Sequence, residues 1–266
     1  MARRLVLVTG ASAGIGAALA RVFAERGWDI ALTARRLDRL EALKAELEGR
    51  WGCSCLTIAA DLAEPGAADA ILAAIAAEGR VVDGLVNNAG YGLPGAFANT
   101  SWADQAAFIQ VLLTAPTELA HKVMPGMIER RFGRIMNVAS LAGHLPGSAG
   151  HTLYAAVKAY MVKFSQSLHL EGKAAGVHVS ALCPGFTFSE FHDVNGTRAA
   201  VSTMPSWLWM EAKDVAVAGF EALERNKPVE VPGLASKGIA VLAKMLPDPV
   251  ALRIMASQGS RYRRLE

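Results

Sequence analysis

Cysteine is scarce, with three in 266 residues. Cys53 and Cys55 sit two apart, which on a strand puts both side chains on one face, and Cys183 is far away. No second ligand pair follows at zinc spacing, so neither a disulfide framework nor a metal site is expected, and the thiols read as reduced and mostly buried. Glycine (25) and proline (11) are too few for a collagen-like or low-complexity chain, and an apolar content of 52% excludes disorder. Long apolar runs are missing as well. After the basic start Met1-Ala2-Arg3-Arg4, residues 5–8 are apolar, but a Thr-Gly turn ends the run well short of the ~7–15 residues of a signal-peptide core. No stretch reaches the ~18 residues of a membrane span, so a cytoplasmic protein without a transmembrane segment is expected. Charge of one sign is lacking too: 27 Lys+Arg against 24 Asp+Glu leave +3, which makes no field for nucleic acid.

What is present is an alternation. Residues 5–8, 28–33, 54–60, 84–86, 134–138 and 177–182 read as short strands, mostly apolar and without polar alternation. Between them, residues 14–26, 37–47, 67–77, a long stretch within 105–129, and 153–174 read as helices. Strands of that kind belong to a parallel sheet covered on both faces, so the expectation is an α/β, doubly wound parallel sheet forming a single domain over residues 1–266. The rhythm loosens after Cys183-Pro184-Gly185. Residues 186–211 carry Phe186, Phe188, Phe191, Met204, Trp207, Trp209 and Met210, either as a substrate lid or as ordinary core packing. A helix over 211–225 and a short strand over 229–231 follow. No repeat and no linker marks a second domain.

The first strand-to-helix turn is Thr9-Gly10-Ala11-Ser12-Ala13-Gly14-Ile15-Gly16. Glycines at 10, 14 and 16 allow a tight turn, close approach to a pyrophosphate and packing of the next helix with its amides facing the anion. The spacing alone is weak; its place between strand and helix supports it. The second strand ends in Ala34-Arg35-Arg36, where a carboxylate would suit an unphosphorylated ribose. Two guanidinium groups suit a 2′-phosphate instead, so NADP(H) is the expected cofactor. Tyr154 and Lys158 lie one turn apart on a predicted helix. A cation there would stabilise a phenolate and make the tyrosine a usable acid/base, although an exposed pair is the ordinary explanation of the spacing. Ser140, at the end of the preceding strand, lies where ligands of open parallel sheets bind.

These pieces, together with Asp61-Leu62, Asn87-Asn88-Ala89-Gly90, Tyr154-Ala155-Ala156-Val157-Lys158 and Cys183-Pro184-Gly185, resemble the short-chain dehydrogenase/reductase family in order along nearly the whole chain. Residues 228–266 resemble its branch with an extended C-terminus. The resemblance implies a Rossmann fold and a homodimer or homotetramer built through two long helices. It implies that Tyr154 donates the proton, Ser140 holds the carbonyl oxygen, and Lys158 binds the nicotinamide ribose while lowering the tyrosine's pKa. Cofactor contacts would come from Gly10, Ser12, Ala13, Gly14, Ile15, Gly16, Arg35, Arg36, Asp61, Leu62, Asn88, Ala89, Gly90, Pro184, Gly185 and Thr187. The expected activity is hydride transfer between NADP(H) and a carbonyl or secondary alcohol, the partner being a small-molecule substrate of bulky, apolar character.

Two departures stand out. Leu112 occupies the long-helix position where the family usually has an asparagine that holds a water behind the lysine. Ser140 and Tyr154 are fourteen residues apart, one more than usual, with the extra residue in the 147–152 loop. The first departure leaves a second reading open: an NADP(H)-binding regulatory or sensor protein with little chemistry. His144, His151, His192 and the basic tail Arg261-Tyr262-Arg263-Arg264 read as solvated or ordinarily hydrogen-bonded groups.

Overall fold

In the computed structural model, residues 3–190 and 205–262 are described, with side chains through 256. Seven strands form one parallel sheet: β1 (Leu5–Thr9), β2 (Asp29–Ala34), β3 (Cys55–Ala59), β4 (Gly84–Asn87), β5 (Gly133–Val138), β6 (Val177–Leu182) and β9 (Val229–Glu230), in the order β3-β2-β1-β4-β5-β6-β9. Register is regular, with Leu5 opposite Asp29 and Val6 opposite Gly84. Every residue of β1 and β5 is buried because helices cover both faces. The order reverses direction between β1 and β4, which opens the crevice where ligands of such sheets bind.

Side-chain alternation along β1 splits the core in two. Val6 and Val8 face α1 (Gly14–Glu25) and α7 (Ala212–Glu224), packing with Leu19, Phe23 and Phe220. Leu5 and Leu7 face α3 (Ala67–Ala77) and α5 (Ala115–Glu129), packing with Ile71, Ile75 and Leu119. Helix α2 (Leu37–Trp51) covers the β2–β3 edge with Leu40, Leu43 and Leu47, as its apolar spacing predicts. Helix α6 (Thr152–Gly172) lies against β5 and β6.

The long helix expected within 105–129 is interrupted. It runs as α4 (Trp102–Ile109), a five-residue π turn over Gln110–Thr114, and α5. A π turn inserts one residue into the helical ladder and is a feature that clusters at functional sites. Among the described residues of 186–211 are two short strands, β7 (Phe186–Phe188) and β8 (Trp209–Glu211), paired in parallel. Trp209 stacks on Phe188 at 4.8 Å between centroids and tilts against Phe186 at 5.5 Å. Residues 191–204 of the expected lid, with Phe191, His192 and Met204, lie outside the described residues, as do Arg263 and Arg264 of the tail. The C-terminal extension contains α8 (Leu234–Met245) and α9 (Asp248–Tyr262), and Leu234, Val241, Leu242 and Met245 of α8 are exposed. Among the described residues no helix is long and apolar enough to cross a membrane.

Candidate active site

The glycine turn closes the carboxyl end of β1 against that of β4. Thr9 Oγ1 accepts from the amides of Asn88 and Ala89, both at 3.0 Å, and donates to Val86 O at 3.2 Å. Asn88 Nδ2 donates to Thr9 O at 2.9 Å and Gly10 O at 3.2 Å. The space for that amide exists only because residue 16 is glycine: a Cβ there would stand 2.4 Å from both Asn88 Nδ2 and Gly10 O. The Asn88 side chain, expected to contact the cofactor, is thus spent on pinning the turn, and Thr9 shares the task. Ala13 starts α1 without a side-chain cap, which leaves the first-turn amides of Gly14, Ile15 and Gly16 available to an anion. Together with the cations described next, this cradle fits the pyrophosphate and phosphate groups of a dinucleotide.

The two arginines after β2 point to different places. Arg35 is largely exposed and reaches Asp61, with Nη1 3.8 Å from Oδ2. Asp61 Oδ1 accepts from Ala63 N at 3.0 Å, and Leu62 is buried beside the cleft. Arg36 turns toward the glycine turn, where its Nη2 donates to Ser12 Oγ at 3.0 Å. Arg39 joins it from the first turn of α2. It was not singled out from the sequence, though its place three residues after Arg36 on a helix was a usable signal.

The reactive groups come from β5 and α6. Ser140 follows β5, and its Oγ accepts from Ala142 N at 3.1 Å, which caps the short turn Leu141–His144. That turn packs on α6 through Gly143, where a Cβ would meet Lys158 C and O at 2.7 Å. The close approach brings Ser140 to hydrogen-bond Tyr154 despite the longer spacing between them. The extra loop residue is therefore absorbed. Burial pushes the Tyr154 phenol up to about 12, and the Ser140 bond pulls the other way. Lys158 is 7% exposed, and burial lowers its amine to about 8, opposed by the nearby Cys183. Its Nζ donates to Val138 O at 2.8 Å and lies 5.7 Å from the centroid of the Tyr154 ring. Lys158 was expected to lower the tyrosine's pKa. In the chain without cofactor, burial outweighs the Ser140 bond at the phenol, and the Lys158 amine is engaged by the Val138 carbonyl.

Behind Lys158 lies a cavity of about 10 Å³ walled by Thr9, Asn87, Leu112 and Val138 among others, about the size of one water. Leu112, on the π turn, is 3% exposed and offers no hydrogen bond. Asn87 is the polar neighbour missed from sequence. Its Nδ2 donates to Asn137 Oδ1 at 2.9 Å and Pro116 O at 3.1 Å, while its buried Oδ1 has no partner among the described residues. Gly90 lies near Leu112, and Ala89 also lines the cavity. On the opposite rim, Pro184 O accepts from Leu141 N at 2.8 Å, Gly185 packs tightly on Ser236, and Thr187 Oγ1 donates to Gly185 O at 3.2 Å. Of the histidines, His151 precedes α6 with its ring 6.4 Å from that of Tyr154, and burial lowers the pKa of His144. The described residues contain no group of three or more His, Cys, Asp or Glu side chains able to hold a metal.

Comparison with known proteins gives the same direction throughout. The family model "short chain dehydrogenase" matches residues 4–198. A sulfoacetaldehyde reductase of Chromohalobacter salexigens is 39% identical over 188 residues, which is 70% of this chain and 73% of the relative. A short-chain dehydrogenase from Sphingobium yanoikuyae, solved in complex with NADPH, superposes with a TM-score of 0.80 at 32% identity, covering 92% of this chain and 97% of the other. A bulky-bulky ketone specific alcohol dehydrogenase from Comamonas testosteroni superposes with a TM-score of 0.76 at 27% identity, over 93% and 96% of the two chains.

Proposed function

The chain belongs to the short-chain dehydrogenase/reductase family, oxidoreductases acting between CH–OH and C=O, and from that premise we propose that it uses NADP(H) to interconvert a bulky, apolar carbonyl compound and its secondary alcohol. The observation that carries this reading is the convergence of Ser140, Tyr154 and Lys158 at the carboxyl end of β5, beside the glycine turn and its arginines. The bound nicotinamide supplies or takes the hydride. Tyr154 remains a protonated phenol at neutral pH, which suits it to give its proton to the developing alkoxide. Ser140, held by Ala142 N and hydrogen-bonded to the phenol, fixes the direction of that donation and steadies the oxygen. Lys158 keeps one donor on Val138 O and has two more for ribose hydroxyls. Arg35 and Arg36 favour a phosphorylated ribose, in keeping with the NADPH complex of the Sphingobium relative. The aromatic trio Phe186, Phe188 and Trp209 supports an apolar substrate and a lid that begins at β7, and the Comamonas relative's name points the same way. Assembly into homo-oligomers through α5 and α6 belongs to the same reading.

The buried Leu112 motivates the second reading, an NADP(H)-responsive binding protein with little chemistry. One experiment separates them: a panel of aromatic, steroid-like and aliphatic ketones followed by NADPH absorbance, with wild type and Tyr154→Phe side by side. Turnover by wild type and its loss in Tyr154→Phe with NADPH binding retained is the expected result. Comparable turnover by the variant removes Tyr154 from the chemistry, and NADPH binding without turnover across the panel favours the sensor reading.

A further inference from the structure

The arginines that face the glycine turn already hold an anion, and it belongs to the chain itself. Glu190 lies 154 residues beyond Arg36, just past β7. Its Oε2 accepts from Nη1 and Nη2 of Arg36, both at 3.3 Å, and its Oε1 accepts from Arg39 Nη1 at 2.5 Å. Arg36 Nη2 also reaches Ser12 Oγ, so one carboxylate, two guanidinium groups and a turn hydroxyl form a single cluster. The preceding residue crosses the turn: a Cβ on Gly14 would stand 3.0 Å from Ser189 Cβ. Ser189 therefore meets the glycine turn at Gly14, while Glu190 sits beside the turn on the two arginines. Beside the cluster a cavity of about 220 Å³, lined in part by Ser12, Arg21, Arg39 and Glu46, gives access from the outside. Arg21 and Glu46 are closed on each other by two 2.7 Å bonds, so neither competes for the anion.

We propose that Glu190 is an internal competitor for the 2′-phosphate, seated on Arg36, Arg39 and Ser12, and that it sets how strongly the protein distinguishes NADP(H) from NAD(H). The inference rests on the NADP(H) reading above and deepens it. A ligand carrying the 2′-phosphate has to displace the carboxylate from both arginines, whereas one without it leaves Glu190 in place. Two oxygens on two guanidinium groups match the charge-assisted, forked geometry that a phosphate would use. The arginines hold the Glu190 carboxyl below its usual range, Arg39 most strongly, so the competitor is charged wherever the protein would work. Because all members are partly exposed, each contact is modest, and the effect is a several-fold tuning of affinity rather than a block.

The test is equilibrium binding of NADPH, NADH and 2′,5′-ADP to the cofactor-free protein by titration calorimetry, for wild type, Glu190→Gln and Arg39→Ala. Glu190→Gln keeps the shape and removes the charge, and it is expected to tighten NADPH and 2′,5′-ADP roughly 3- to 10-fold while leaving NADH within about twofold. Arg39→Ala is expected to weaken the two phosphorylated ligands and spare NADH. Glu190 lies at the surface, so loss of the fold is not anticipated, and far-UV circular dichroism checks it. Unchanged or weaker NADPH binding in Glu190→Gln overturns the competitor, as does equal tightening of NADH. A wild type that binds NADH as tightly as NADPH instead overturns the cofactor reading, whatever Glu190 does.

Discussion

Replacing Lys158 by methionine should abolish turnover with NADPH and at the same time stabilise the cofactor-free protein. The amine is 7% exposed, and burial lowers its pKa from the ordinary 10.5 to about 8. At about 1.4 kcal/mol per pH unit, keeping that ammonium inside the fold at neutral pH costs about 3 kcal/mol. Methionine has a similar length and no charge to desolvate. Losing the 2.8 Å bond to Val138 O offsets about 1 kcal/mol of the gain, so the net gain at pH 7 is about 2 kcal/mol, or roughly 4–8 °C in melting temperature for a chain of this size. The sign of the pH dependence follows from linkage. Below about 8 the lysine is protonated in both states and the full penalty is present. Between about 8 and 10.5 the unfolded chain binds a proton that the folded chain has released, so wild-type stability rises with pH relative to the variant. By pH 10.5 only a few tenths of a kcal/mol of the penalty remain, and the variant's advantage is gone or slightly reversed.

The assay is urea unfolding of both proteins at a series of pH values from 7 to 10.5, without cofactor, because a ligand that binds only the folded state would mask the difference. Other titrating groups are common to both chains and cancel in the comparison. A variant less stable than wild type at pH 7, or a difference between the two that does not change with pH, would refute the reasoning, because Lys158 would then not be a charge held against desolvation.

Two further outcomes test the packing of the site and the assembly. Gly143→Ala places a methyl 2.7 Å from the backbone of Lys158, so the turn carrying Ser140 should lift from α6, costing about 1–3 kcal/mol; steady-state kinetics should show a fall in kcat with little change in NADPH affinity, and an unchanged kcat would mean that the contact does not position Ser140. Helices α5 and α6 expose Ile128 and Leu170, the latter 75% accessible, and light scattering of the purified protein should give the mass of a dimer or tetramer; a monomer would refute assembly through these helices.

The parallel sheet was legible because its strands are short, apolar and separated by helices of matching length, and all seven predicted strands and five of the six predicted helical stretches appear within a few residues of their expected bounds. The π turn was not. Residues 110–114 read Gln-Val-Leu-Leu-Thr, an ordinary helical pattern, and a shift in the hydrogen-bond ladder leaves no mark on side-chain polarity. β7 and β8 escaped for another reason: three residues each are too few for periodicity, and they are stabilised by rings stacked across 209 − 188 = 21 positions of sequence. At the site, the Tyr154–Lys158 spacing showed which groups share a helical face but not where each points. The direction of Lys158 depends on Val138 O, twenty residues away on another element, and the seat of Glu190 on Arg36 depends on the whole fold.

Displaced proton affinities gather around this centre. Tyr154, Lys158 and Cys183 are neighbours; burial holds the phenol and the thiol each near about 12 and the amine near about 8. Asn87 Oδ1, beside the same lysine, is a buried acceptor without a partner, an arrangement that typically costs about 1–3 kcal/mol. A few ångströms deeper the chemistry changes character. Asn137 Nδ2 donates to Ser165 Oγ at 2.9 Å, Ser165 Oγ donates to Met161 O at 2.7 Å, and Asn137 Oδ1 accepts from Asn87, so that relay is bonded at every step. One side of Asn87 is thus scaffold and the other faces the lysine. Asn87 Oδ1 leaves a buried acceptor on the lysine's side, at a cavity about the size of one water, where a hydrogen-bond donor would be held. Leu112 adds no polar group there, because the polar lining behind Lys158, Thr9 and Asn87, comes from the ends of β1 and β4 rather than from the π turn.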